Sequence, residues 1–154
     1  MDGTIYLTRN TDEVGNDSPG NWNHSAIVYK GTIIEAQAIP DAVIQVTVDG
    51  FRDRYPEFVV LNPVNEVAGE LAALSAYKAI GTPYRQNASV FFKRRQGHNC
   101  VSLCRQAYMD AMGFDPGWII PDHIICFLFK QVEHYVNYNA WRTPIDDWFP
   151  GRLQ

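Results

Sequence analysis

Residues 98–113 constrain the fold of this chain most, because they carry the start and stop signals of a complete helix. Asn99 is a favoured N-cap residue, and Gly113 is a favoured residue directly after a last helical turn. Five small or apolar residues recur at helical spacing on one face: Cys100, Cys104, Ala107, Tyr108 and Ala111. The sequence therefore predicts a helix that begins at Cys100 and buries this face.

The position of Cys100 at the first turn has a chemical consequence. Unpaired N–H groups and the helix dipole favour negative charge at a helix N-terminus, and this promotes the reactive thiolate. The same N–H groups can hold the oxyanion that forms when a thiolate attacks a carbonyl. Free cysteines are usually buried and inert, however, so packing alone is the alternative interpretation of Cys100. A catalytic interpretation requires a base elsewhere in the chain.

Length, charge and cysteine content exclude several classes of protein. A chain of 154 residues can bury its own core, so we assign residues 1–154 to a single domain. We expect the core within about residues 20–130, and the aromatic tail at 130–154 has no assignable pattern. The formal net charge of −4 gives no basis for a nucleic-acid partner. Three cysteines do not make a disulfide framework, which favours free thiols in a reducing compartment.

The chain also lacks the sequence signals of membrane insertion and secretion. No apolar run approaches the ~18–20 residues that are needed to span a membrane. Residues 1–10 have neither the basic start nor the apolar run of a secretory signal. The sequence therefore predicts a soluble protein that is synthesised in the cytoplasm, without integral membrane association.

A hairpin is predicted for residues 24–37, where two strand-like runs meet at a Lys-Gly turn. If Tyr29 pairs with Thr32, the strand register places Gln37 opposite His24 and Glu35 diagonally beside it. These three side chains then share one face of the hairpin, because strand side chains alternate. The hairpin thus supplies a candidate base with an acid next to it, and Gln37 is an alternative group to orient the base.

Other elements follow from periodicity and capping. Strands are predicted at residues 4–8, 42–48 and 57–61. A helix capped by Asn65 is predicted to run to residue 80. Its predicted buried stripe is Val67, Leu71, Leu74 and Tyr77. A short apolar segment at residues 121–129 is also expected to be buried.

Four histidines could supply a base for Cys100. His24 is the best placed, because an acid and an amide are predicted on its own face. His98 lies two residues before the cysteine on a turn, which is a poor position for a linear contact. His123 and His134 occur in apolar or unassigned contexts, where a structural imidazole is the commoner outcome.

Metal and cofactor sites have weaker support. His98, Cys100 and Cys104 could provide three ligands, but paired Cys-x-x-Cys motifs are absent and Cys104 lies on the inward helix face. Phosphate-binding glycine loops and the Gly-x-Ser-x-Gly elbow have no match. We therefore predict no metal and no cofactor.

Three short motifs resemble the NlpC family of papain-like cysteine peptidases. They are Gly81-Thr-Pro-Tyr84, Asn99-Cys100-Val-Ser-Leu103 and Ala107-Tyr108. In that family a Gly-Thr-Pro-Tyr segment precedes an Asp-Cys-Ser-Gly-Leu helix start. Asn99 and Val101 depart from this pattern, which weakens any transfer of substrate preference.

The order of the motifs resembles the circularly permuted branch of that family, the YiiX-like peptidases. There a His strand and a Glu-Ala strand precede the Cys helix, and a Pro-Asp segment follows it. This chain has His24, Glu35-Ala36, Cys100 and Pro121-Asp122 in the same order. The resemblance spans roughly residues 20–130 and depends on the order of short motifs.

The resemblance implies an α+β fold of the papain-like, NlpC type in permuted order, with an antiparallel sheet packed against the cysteine helix. It implies that Cys100 is the nucleophile, His24 the base and later the acid, and Glu35 the group that orients His24. The candidate residues at the oxyanion and substrate sites are Tyr84, Asn99 and Gln37.

The activity implied is that of a thiol hydrolase which cleaves amide bonds through a thioester, with peptidoglycan stem peptides as the favoured substrate. An acyltransferase or thioesterase of the lecithin:retinol acyltransferase type remains an alternative, because it shares the permuted order and an Asn-Cys helix start. A catalytically inert binding module, such as a component of a larger particle, is a third. A wall hydrolase without a secretion signal would need release through lysis, injection or a dedicated secretion system.

Overall fold

A six-stranded antiparallel sheet forms the centre of the fold in a computed structural model, which describes residues 1–9, 20–92 and 97–137. The strands are β1 Ile5–Arg9, β2 His24–Tyr29, β3 Thr32–Gln37, β4 Ala42–Thr47, β5 Glu57–Pro63 and β6 Phe129–Val136. Their order across the sheet is β4-β3-β2-β1-β5-β6. The three strands predicted at residues 4–8, 42–48 and 57–61 are confirmed as β1, β4 and β5. Strand β6 begins just before the tail that has no assignable sequence pattern, and residues 138–154 lie outside the described residues.

The β2–β3 hairpin has the predicted register. Tyr29 pairs with Thr32, and the ladder continues through Ile27 and Ile34. Lys30 and Gly31 both have positive φ, at 45° and 72°. Two positive φ values in succession match the right-handed twist of the flanking strands, so this short turn sets the register of the whole hairpin.

Three helices cover the sheet, namely α1 Val48–Asp53, α2 Glu66–Lys78 and α3 Cys100–Met112. The predicted helix at Cys100 is confirmed, with Asn99 as its N-cap and Gly113 in the left-handed conformation at its end. The side chains of Asn99 and Ser102 exchange hydrogen bonds with each other's backbone, so a full capping box fixes where α3 starts. Helix α2 begins after the predicted cap Asn65. None of the helices in the described part of the chain is long and apolar enough to cross a membrane.

The helices pack on opposite faces of the sheet. Helices α2 and α3 contact each other and cover one face, whose core includes Leu7, Ile27, Leu103 and Tyr108. Helix α1 contributes Phe51 to a second core on the other face. The Tyr108 hydroxyl donates a hydrogen bond of 2.6 Å to the Gly3 carbonyl, which ties α3 to the chain entering β1. This arrangement brings the start of α3 beside the start of β2.

The predicted buried stripe of α2 is wrong. Val67, Leu71, Leu74 and Tyr77 are 66%, 49%, 38% and 43% exposed. The buried residues are small instead: Gly69, Ala72, Ala73 and Ala76. The reason is close packing, because a Cβ on Gly3 would lie 2.4 Å from the Cα of Gly69, so only small residues fit beneath the helix. Its large apolar residues therefore face outward.

Two further expectations need correction. Val48 does not continue β4 but starts α1, because the Thr47 side chain accepts the Gly50 N–H and caps a helix there. The apolar segment at residues 121–129 is only partly buried, since Ile125 and Phe127 are exposed. This segment contains a short 3-10 helix, Pro121–Ile124, and the turn that follows it directs alternate side chains into solvent.

Candidate active site

Cys100 and His24 meet where α3 and β2 begin. The Cys100 thiol is hydrogen-bonded to the His24 side chain, and Cys100 itself is partly exposed. His24 is buried, and its ring stacks on Tyr55 with the ring centres 5.8 Å apart. The predicted base is thus in contact with the predicted nucleophile, and its ring is held by packing.

Glu35 is fully buried and lies among three hydrogen-bond donors. Its Oε1 is 2.9 Å from His24 Nε2 and accepts a hydrogen bond of 2.5 Å from Gln37 Nε2. The Arg54 guanidinium donates to both carboxylate oxygens, at 2.6 and 2.5 Å. Burial opposes ionisation of Glu35, but the hydrogen bonds and charges of His24 and Arg54 outweigh it and lower the pKa. Glu35 is therefore a buried carboxylate.

The charge of Glu35 determines which nitrogen of His24 carries the proton. A carboxylate only accepts hydrogen bonds, so His24 Nε2 must be the donor in their 2.9 Å contact. In the neutral ring this leaves Nδ1 as the acceptor for the Cys100 thiol. The ring is thereby prepared to accept the thiol proton and form an imidazolium–thiolate pair.

The two cysteines of α3 differ sharply in acidity. Burial is the largest influence on the Cys100 thiol and opposes its ionisation, but the hydrogen bond and charge of His24, with hydrogen bonds from Ser25, lower the pKa. Burial raises the pKa of the Cys104 thiol to about 12, and that thiol contacts Ser25 Oγ at 3.8 Å. Cys100 is consequently the more acidic thiol of this helix, whereas Cys104 packs in the core.

Helix α1 and the two residues after it supply contacts that were not predicted from the sequence. Phe51 and Tyr55 pack against the His24 ring, and the Arg54 guanidinium lies 5.3 Å from the centre of each of their rings. Ser25, next to His24, was also missed. Thr47 directly before α1 is an N-cap signal, and a buried acid requires a cation nearby, so both features were available as weak signals.

The three residues predicted at the oxyanion and substrate sites have different positions. Asn99 caps α3, and its amide nitrogen donates to Gln86 O and Ser89 Oγ, both at 2.9 Å. The Gln37 amide is directed to Glu35 rather than to open space. Tyr84 forms an isolated parallel β-bridge with His98, and it lines a cleft of 590 Å³ formed by the loop before α3. Of the three, Tyr84 is the one that lines this cleft.

The other histidines form hydrogen bonds away from Cys100. His98 Nδ1 is 3.0 Å from Ser102 Oγ, and burial lowers the His98 pKa. His123 Nδ1 accepts the Ile119 N–H, and His134 pairs with Glu57 at 3.0 Å. In the parts of the chain that the structure describes, no three His, Cys, Asp or Glu side chains gather as a group that could hold a metal.

Asp122 forms hydrogen bonds with the segment that leads into β2. Its carboxylate accepts the N–H groups of Asn21 and Trp22, both at 2.9 Å. Gly20 lies against the same carboxylate, where a Cβ would come within 2.8 Å of it. The Pro-Asp segment singled out in the sequence therefore holds the residues directly before His24.

Replacement of Glu35 by glutamine is expected to lower the free energy of unfolding by about 3 kcal/mol near pH 7, because it leaves buried donors and the Arg54 charge poorly matched. The folded-state pKa of Glu35 lies below its usual 4.5, so its stabilisation is complete above about pH 4.5 and is lost as the pH falls through the folded value. Urea unfolding of both proteins between pH 3 and 7 measures this.

Glu57→Gln is the matched control for that experiment, because Glu57 also pairs with a histidine but at the surface. We expect it to change stability by less than about 1 kcal/mol at every pH. A Glu35→Gln protein as stable as wild type near pH 7 would show that the Glu35 cluster contributes nothing net.

The sheet and its helices define a mixed α/β domain in which Cys100, at a helix start, lies beside the buried side chains of His24 and Glu35. A crystal structure described as metalloprotein yiiX from Escherichia coli O157:H7, DUF1105, has the same fold. The match covers 88% of this chain and 98% of that chain, with a TM-score of 0.68 and 12% sequence identity. Neither a protein-family model nor a curated protein matches the sequence. At this identity the likeness shows the fold alone, and the fold is YiiX-like.

Proposed function

We propose that this protein is a thiol hydrolase of the permuted papain-like type, with Cys100 as nucleophile and His24 as general base. The observation that carries the proposal is the chain of contacts from the partly exposed Cys100 to the buried His24 and Glu35. A nucleophile hydrogen-bonded to a base, with the base oriented by a third group, is the arrangement that acyl transfer requires.

Acyl transfer also requires hydrogen-bond donors that stabilise the oxyanion, and the start of α3 offers such donors. The capping box uses the N–H of Ser102, and the N–H of Leu103 is bonded to Asn99 O. The N–H groups of Cys100 and Val101 are left at the helix end, where they have no intrahelical acceptor. We assign these two groups to the oxyanion.

The proposed reaction has two steps. The Cys100 thiolate attacks the carbonyl carbon of an amide, and His24 gives its proton to the departing amine as the thioester forms. Water then attacks the thioester while His24 accepts a proton from it, and the carboxylic acid leaves with the thiol restored. Glu35 remains a carboxylate in both steps and stabilises the imidazolium.

A metal does not suit this site, although the yiiX protein is described as a metalloprotein. The oxygens of Glu35 are already bonded to His24, Gln37 and Arg54. The guanidinium of Arg54 would also repel a cation that approached them. Elsewhere in the described part of the chain, no three His, Cys, Asp or Glu side chains gather as a group that could hold a metal.

The substrate we favour is the stem peptide of peptidoglycan, on the basis of the sequence resemblance to NlpC-type peptidases. The acyltransferase alternative was based on the permuted order, which the hydrolases share, and on the Asn-Cys pair at the start of α3. Asn99 has a sufficient explanation as the helix cap, so this pair no longer favours that alternative.

The direct test is incubation of the protein with purified muropeptides, followed by mass spectrometry of the products. We expect pairs of fragments whose masses together equal the mass of the muropeptide plus one water, as hydrolysis of one peptide bond requires. Vesicles of phosphatidylcholine serve as the comparison substrate. If muropeptides stay intact while Cys100 acquires an acyl group from the vesicles, the protein is an acyltransferase and the proposal is wrong. If neither substrate reacts, the peptidoglycan proposal also fails.

A further inference from the structure

Helix α2 carries a row of large apolar side chains on its outer surface. We define the α2 row as Val64, which directly precedes the helix cap, with Val67, Leu71 and Leu74. Val67, Leu71 and Leu74 follow one line of the helix, because they are four and three residues apart, and Val64 precedes them outside the helix. This line is opposite the small residues that face the sheet and α3, so nothing in the described protein covers it.

The α2 row is large enough to be a binding surface. Its four side chains expose roughly 400 Å² of apolar surface, in the range of the largest patches on soluble monomers, which are often binding sites. The three-four spacing is also the seam pattern by which two helices pack against each other. A helix is therefore the form of partner that fits the row.

The charges beside the α2 row identify which helix fits. Glu66 and Glu70 lie at the N-terminal end of α2, and Lys78 lies at its C-terminal end. No described residue forms an ion pair with any of the three. A second α2 that runs antiparallel and is centred between Leu71 and Leu74 brings Lys78 of each copy beside the glutamates of the other. Two antiparallel copies of α2 therefore place opposite charges beside each other at both ends of the contact.

We propose that α2 forms a two-fold interface with a second copy of this chain. Leu71 of each copy packs against Leu74 of the other, and Val67 packs against the stem of Lys78. Burial of both rows and their flanks would remove roughly 1,000 Å² from solvent, which is at the lower limit for a specific interface. The expected dimer is therefore weak, with a dissociation constant of roughly micromolar order. The inference does not depend on the chemistry of Cys100.

Sedimentation equilibrium of the full chain over a range of about 1–200 µM tests this proposal. We expect a monomer–dimer equilibrium for the wild type. Leu71→Glu should raise the dissociation constant roughly 100-fold or more, because it places a charge in the seam of both copies. Phe127→Glu is the matched control, since Phe127 is 84% exposed and lies outside α2, and it should leave the equilibrium unchanged.

A charge exchange distinguishes this interface from other contacts. Lys78→Glu alone should weaken the dimer, because it places glutamates against glutamates. The triple variant Glu66→Lys, Glu70→Lys, Lys78→Glu should restore it, because the complementarity is reversed but kept. A chain that stays monomeric at every concentration overturns the proposal and leaves the row to a different partner. A dimer that Leu71→Glu does not weaken, or that the triple variant does not restore, overturns it equally.

Discussion

Replacement of Cys100 by alanine is expected to abolish the cleavage of muropeptides, with a loss in rate of about 10⁴-fold or more. The physical reason is that no other group in the described site can take the place of the nucleophile. Cys104 is one turn away, but its thiol is fully buried and its pKa is raised to about 12. The measurement is the rate of product formation by mass spectrometry at equal concentrations of folded protein.

Cys104→Ala provides the control for that prediction. It also removes one thiol from α3 and leaves the contact between Cys100 and His24 intact, so cleavage should continue at a rate within a few-fold of wild type. Alkylation gives a second readout, because Cys100 should react with iodoacetamide near pH 7 faster than Cys126, which is also partly exposed. Equal labelling of these two cysteines would favour the inert binding module.

The part of the site that could be predicted from sequence is the part that local rules determine. The Lys-Gly turn fixes the register of β2 and β3, and the register places Glu35 next to His24. The cap at Asn99 fixes the first residue of α3, and therefore the position of Cys100 at the helix end. Each of these rules acts over a few residues, so a single sequence contains enough information to apply it.

Contacts between segments that are far apart in the sequence were harder to predict. Arg54 is bonded to Glu35, yet it lies 19 residues away, directly after a helix that the alternating pattern of β4 concealed. In helix α2 the pattern was visible but was assigned to the wrong side. Its large apolar residues do recur at helical spacing, yet they face solvent instead of the core. Packing against Gly3 selects small residues for the inner face, and hydrophobicity alone does not distinguish a core from a surface intended for a partner.

Replacement of His24 by alanine should reduce cleavage by about 10²–10⁴-fold, because it removes both the proton acceptor and the charge that stabilises the thiolate. It should also slow the alkylation of Cys100 at pH 7. His24 and Ser25 hold the Cys100 pKa low against the effect of burial, so without His24 burial dominates and the pKa rises. A smaller fraction of the thiol is then ionised at pH 7.

The pH dependence of alkylation makes this prediction specific to the proposed role of His24. The midpoint of the rate against pH should move upward in His24→Ala, whereas a purely structural loss would lower the rate without moving the midpoint. His134→Ala is the matched control, because His134 also pairs with a glutamate at 3.0 Å but lies far more exposed. Its profile should coincide with that of the wild type. If the midpoint is the same with and without His24, the histidine does not activate Cys100, and the Cys-His-Glu cluster has to be interpreted as a structural core.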